Sequence, residues 1–287
     1  MLEHLVALGA SVSLGLMDFS VERATVVRRL HAAGVPVIAW QLLPPEQGYW
    51  FNLDNAPQAT ARYEAFRQWT ATHLLSWDGV GLDIEPDLLE LRRWLSRPWR
   101  QLPVLLGRLR RGARLRQAQA DYGALVSRIR EDGYRVDTYQ LPLIADERLA
   151  HSTLLQRLLG LVDVASDREV LMLYSSFVRP HGPGLLSSYG AQARTIGVGS
   201  TGGGVELPGA GAAPPLSWDE LCRDLRLAGR LSPEVHLFSL EGCMAQGFLP
   251  RLRTFDWDGP LEPGPQTKTR RMELMRRAVR AILRLCD

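Results

Sequence analysis

Strand-like apolar runs alternate with helix-like segments almost to the end of this chain, and that rhythm limits the fold more than any other feature. Residues 11–17 (SVSLGLM), 35–43 (VPVIAWQLL), 77–86 (WDGVGLDIEP), 134–144 (YRVDTYQLPLI), 169–177 (EVLMLYSSF), 193–200 (ARTIGVGS) and 234–240 (EVHLFSL) read as strands. Residues 21–33, 56–75 and 217–229 read as intervening helices, and residues 269–285 as a closing one. Such alternation predicts a parallel sheet covered by helices. No GxGxxG follows a strand, which weakens a Rossmann reading. The prediction is an α/β protein, a (β/α)8 TIM barrel in one domain over residues 1–287, with an incomplete or irregular first strand. Residues 1–8 read as a helix where that strand belongs, so the WDGVGLDIEP run counts as barrel strand four.

Bulk properties narrow the class further. The chain is 46% hydrophobic and 23% charged, the composition of a globular protein with a sizeable core. A net charge of +3 is too small to argue for nucleic acid, and no nucleic-acid partner is expected. The three cysteines, Cys222, Cys243 and Cys286, form no CxxC pair and define neither a disulfide framework nor a zinc site. No cofactor and no metal are expected. No apolar run reaches the ~20 residues of a membrane span, and residues 1–9 lack the basic region of a signal peptide. A cytoplasmic location is the default expectation, with an exported or membrane-associated full-length form left open.

The acidic strand carries the chemistry. Side chains alternate along a strand, so Gly81, Asp83 and Glu85 share one face while Val80, Leu82 and Ile84 share the other. The apolar face packs against helices. Two carboxylates at the end of a buried strand are costly unless paired, hydrated or used. Glycoside hydrolysis uses such a pair, one carboxyl protonated to donate and the other ionised to position or stabilise. Other polar residues gather where the strands end, the catalytic face of a barrel: Gln41, Gln140, Tyr174 with Ser175, and Glu241. Trp40 lies in the second run, and Tyr49, Trp50 and Phe51 lie in the loop after it. Trp50 is a candidate for stacking on the apolar face of a sugar.

Asp78-Gly79-Val80-Gly81-Leu82-Asp83-Ile84-Glu85 resembles the DGxDxDxE strand of family 18 glycoside hydrolases, the chitinases and endo-N-acetylglucosaminidases. Met172-Leu173-Tyr174-Ser175 is similar to that family's MxYD, two strands later. Together the two motifs cover a dozen residues. The resemblance implies a TIM barrel and a carbohydrate or glycoconjugate substrate. It makes Glu85 the acid that protonates the leaving oxygen and Asp83 the carboxylate that orients a substrate N-acetyl group. Tyr174 becomes a partner of that group. Two positions depart from the pattern: the family's middle aspartate is Gly81, and the aspartate of MxYD is Ser175. Fewer acids would stabilise a cationic intermediate less well, which brings Glu241 forward as a second carboxylate.

Residues 91–120 hold many arginines, no acid and interleaved Trp and Leu. Such a stretch suits peripheral contact with an anionic membrane surface, or a solvated helix pair covering a barrel. The leading expectation is therefore a glycoside hydrolase. The alternatives are a non-hydrolytic carbohydrate-binding barrel and a metal-dependent phosphodiester or lipid hydrolase using Asp83, Glu85 and Glu241 as oxygen ligands.

Overall fold

A computed structural model describes residues 1–96, 102–204, 214–261 and 266–285. Arg97, Trp99 and Arg100 of the basic stretch, and Cys286, lie outside the described residues.

The elements run α1 (Leu2–Ala7), β1 (Val12–Leu16), α2 (Val21–Ala32), β2 (Val37–Gln41), α3 (Ala56–His73), β3 (Gly79–Ile84), α4 (Leu88–Ser96), α5 (Leu102–Arg108), α6 (Gly112–Glu131) and β4 (Val136–Gln140). They continue with α7 (Leu143–Ala150), α8 (Leu154–Leu159), β5 (Arg168–Met172), α9 (Gly182–Tyr189), β6 (Thr195–Gly199), α10 (Trp218–Leu231), β7 (Glu234–Phe238), α11 (Leu240–Ala245), α12 (Phe248–Leu252) and α13 (Gln266–Leu285). A strand forms within each of the seven runs read from the sequence. No eighth strand is present among the described residues, and the chain opens on α1. The fold is α/β; a complete eight-stranded barrel is not what the described strands make.

The chain divides into two compact units. The first comprises Met1–Tyr139 with Leu155–Arg168. Its strands lie in the order β1-β2-β3-β4, and β1 with β2 and β2 with β3 pair in parallel. In that register Trp40 sits beside Gly15 on one side and Gly81 on the other. Leu16, Gln41 and Leu82 align on the opposite face. The ends of α2 are written locally: Ser20 Oγ accepts from Arg23 N at 3.3 Å, and Gly34 follows at φ +75°, the left-handed turn glycine allows.

The second unit comprises Gln140–Leu154 with Glu169–Asp287, and its strands lie in the order β5-β6-β7, with both neighbouring pairs parallel. Leu171, Leu173, Ile196, Val198, Leu221 and Leu225 lie within its core. A buried ion pair docks α13 on α7: Arg276 Nε donates to Asp146 Oδ1 at 3.0 Å, and Tyr189 of α9 donates its hydroxyl to the same carboxylate. The Arg276 guanidinium also covers the Tyr189 ring at 3.6 Å. Ser217 and Glu220 form a capping box at the start of α10.

Two sequence expectations change in this unit. Glu241 was read at a strand end, but β7 stops at Phe238 and Ser239 caps a helix, its Oγ accepting from Gly242 N at 3.1 Å. Glu241 therefore stands exposed in the first turn of α11. The fourth run was read as a strand to residue 144, but β4 ends at Gln140 and α7 begins at Leu143, because Pro142 cannot continue the ladder.

Candidate active site

Asp83 and Glu85 close β3, and the backbone on both sides of Ile84 is pinned. Phe51 N donates to Asp83 O at 2.9 Å, and Glu85 N donates to Phe51 O at 3.1 Å. The loop that carries Phe51 is in turn held by Asn55. Its Nδ2 donates to Gln47 O at 2.9 Å and Trp50 O at 2.8 Å, and its Oδ1 accepts from Asn52 N at 2.8 Å. Gly48 takes φ +108°, and a Cβ there would lie 2.8 Å from Asn55 Nδ2. Only glycine serves this turn. The result is a short rigid ledge, Gly48 to Asn52, laid along the end of the acidic strand.

Asp83 is buried, 2% exposed, and its Oδ2 accepts from Trp40 Nε1 at 3.1 Å. Its Oδ1 is buried without a hydrogen-bond partner among the described residues. Glu85 keeps part of its surface open. Burial pushes the Glu85 carboxyl up to about 7, against the opposing pull of its hydrogen bond with Asp83. Burial and then the charge of Glu85 hold Asp83 well above the usual carboxylate range, with the Trp40 hydrogen bond acting in the other direction. Two acids this close in a poorly hydrated place do not both ionise near neutrality. Tyr49, half-buried on the ledge, has its phenol pushed up by burial and by the negative charge of Asp83 and Glu85. That marks its ring as a neighbour of the pair.

Beneath the acids two aromatic rings occupy space that glycines leave open. A Cβ on Gly81 would lie 2.8 Å from Tyr139 Cε2 and 3.1 Å from its hydroxyl oxygen. A Cβ on Gly15 would lie 3.2 Å from Trp40 Cε3. The two rings meet edge to face at 6.0 Å, and Tyr139 donates its hydroxyl to Ser13 Oγ at 2.7 Å. Where the DGxDxDxE pattern has a third acid, this chain has the edge of a phenol. Burial pushes that phenol up, so it stays neutral.

Of the other residues named from the sequence, Trp50 is buried on the same ledge, its ring against Tyr49 at 5.2 Å. Gln41 follows Trp40 on β2 and so takes the opposite face, with Leu16 and Leu82. It is fully buried; its Nε2 reaches Ala39 O only at 3.5 Å, and its Oε1 has no partner among the described residues. Gln140, Tyr174 and Glu241 belong to the second unit. Gln140 is fully buried and, following Tyr139, takes the other face of β4. Tyr174 is half-buried, stacked on Phe238 at 5.5 Å, and it covers Gly197 and Gly199 much as Trp40 covers Gly15. Ser175 donates its hydroxyl to the buried carboxylate of Asp224 on α10, so the residue in place of the MxYD acid ties into the helix layer.

Trp40 as a donor, Tyr139 as a filler and Asn55 as a clamp were not legible as site residues. The order of β2, β3 and β4 reveals the first two, and the folded loop before α3 reveals Asn55. No group of three or more His, Cys, Asp or Glu among the described residues is arranged to hold a metal ion. The glycine-rich turn after β6 spends its amides internally: Ser200 N donates to Ser176 Oγ, Thr201 N to Phe238 O and Gly202 N to Ser200 Oγ. In the basic stretch, Arg108 pairs with Glu90 at 2.5 Å, while Arg111 and Arg114 both meet Asp54.

No family model and no curated protein sequence matches the chain. Among solved structures it is similar to the glycoside hydrolase domain of PgaB (BpsB) from Bordetella bronchiseptica, with a TM-score of 0.53 over 92% of each chain at 11% identity. The likeness is one of fold.

Proposed function

We propose that this protein is a glycoside hydrolase in which Glu85 is the general acid and Asp83 its companion. The observation that carries the reading is the carboxyl pair at the end of β3, Asp83 buried and held by Trp40, with burial raising Glu85 to about 7. A carboxyl tuned to that value still holds its proton near neutrality and can give it to a glycosidic oxygen as the carbon–oxygen bond breaks. In the form in which Glu85 holds the pair's one proton, Asp83, oriented by Trp40, is the ionised partner that faces the developing positive charge at the anomeric carbon. The family 18 resemblance supports a substrate-assisted course on an N-acetylated sugar. There the substrate's own acetamido oxygen attacks the anomeric carbon. A single (β/α)8-type domain is the architecture this reading assumes, and likeness to a glycoside hydrolase domain supports it by analogy.

The test is Glu85→Gln on release of new reducing ends from a panel of N-acetylated oligosaccharides. Loss of product by orders of magnitude supports the assignment; unchanged turnover ends it. One observation favours a second reading, a carbohydrate-binding barrel without hydrolysis: the Tyr139 ring holds the space of the third acid beside Gly81. Retention on a glycan array without product release would select that reading.

A further inference from the structure

We propose that the outer face of α13 is a docking surface for an anionic membrane leaflet. The helix has two sides of different character. Met272, Arg276 and Leu283 are buried, and Arg276 is locked to Asp146. On the opposite side Leu274, Met275, Ile282 and Leu285 are 62%, 50%, 57% and 85% exposed. With Ala278 and Ala281, also exposed, they fall at 274, 278, 281–282 and 285, the spacing of one continuous helical stripe. At ~1.5 Å per residue the stripe is about 16 Å long. Exposed large apolar residues are ordinary when scattered; here four share one face of one helix.

Charge identifies the occupant. Arg270, Arg277 and Arg284 recur every seven residues and so line one edge of the stripe, with Arg271 within it; all four are exposed. Glu273 is the helix's single acid. Arginines in this position reach past an apolar strip to headgroup phosphates while their stems stay against it. Each adds about fivefold to partition onto an anionic leaflet. A second copy of the chain is the poorer partner, because a stable protein interface buries about 800 Å² on each side, more than this single stripe offers. Pairing two such stripes would also bring two arginine-rich faces together. A leaflet sets no minimum patch and supplies the missing negative charge. The contact is superficial, since no described helix is long and apolar enough to cross a membrane.

The experiment is co-sedimentation of the full chain with phosphatidylcholine vesicles and with vesicles containing phosphatidylglycerol. We expect retention on the anionic vesicles at low salt, release at high salt and no retention on phosphatidylcholine alone. Leu274→Glu with Ile282→Glu should reduce retention at least about tenfold. Arg270→Ser with Arg277→Ser, which leaves the apolar stripe intact, should reduce it by a comparable factor. Leu74→Glu, a change at an exposed residue of the first unit, should leave it unaltered. Absence of retention on anionic vesicles overturns the proposal. So does retention that survives both α13 variants, which would assign binding to another basic surface. A dimer in light scattering that Leu274→Glu dissolves overturns it in favour of a second copy.

Discussion

Trp40 Nε1 donates to Asp83 Oδ2 at 3.1 Å, from one strand to the next, and it is the one N–H donor the described structure gives this carboxylate. The indole both aims the acid and eases its ionisation. Trp40→Phe keeps a ring over Gly15 and removes the donor. A hydrogen bond to a charged group contributes about 1.5–3 kcal/mol, so kcat/KM should fall roughly 10- to 100-fold. Losing a donor that favours the ionised form should also move the pair's titration to higher pH. A pH–rate profile reads both effects, and an unmoved profile would argue that Trp40 only packs.

Glu85→Gln should lower turnover by about 10²–10⁴-fold while leaving the fold intact. Its effect on stability has a definite sign. Glu85 binds its proton more tightly in the folded chain, at about 7, than its ordinary 4.5. Its contribution is thus full below 4.5 and is lost as pH rises through 7. The displacement sets a ceiling of about 3 kcal/mol at 1.36 kcal/mol per unit, which the open side of Glu85 reduces to on the order of 1 kcal/mol. Thermal unfolding should find the variant more stable than the parent at pH 8 and nearly equal to it at pH 4. For the same reason, activity of the parent should decline as pH climbs past 7.

Gly81→Ala should cost about 1–3 kcal/mol, because its methyl group meets the Tyr139 ring, which is itself packed against Trp40. In a Tyr139→Ala background the same change should cost far less. A double-mutant cycle by urea unfolding measures the difference as a coupling energy. Additive costs would mean that the ring moves aside freely.

Asp146→Ala should destabilise the chain by about 3–5 kcal/mol, since it leaves the buried Arg276 guanidinium without its carboxylate. Replacing both residues with apolar ones should recover much of the loss. Denaturant titration of the single and double variants checks the point.

Legibility in the sequence followed the range of the interactions involved. The seven strands and the helices α2, α3, α10 and α13 were visible because apolar period is a local signal. The acid pair was visible for the same reason. Glu241 was misplaced although a local signal existed: Ser239 three residues before Gly242 reads as an N-cap once it is weighed against the apolar run. Gln41 and Gln140 were chosen by position at strand ends. Which face each takes depends on Trp40 and Tyr139 lying toward Gly81, and that needs strand register. The same dependence hid Tyr139, whose partners Ser13 and Gly81 stand 126 and 58 residues away.

The close approach of the Tyr139 ring to Gly81 ties two sequence positions together. An acid at 81 demands a small residue at 139, and a tyrosine at 139 demands glycine at 81. Recognising kin of this chain by counting acids in its third strand would pass over them. A paired signature, glycine in the acidic strand with an aromatic one strand later, would gather those that changed both positions together.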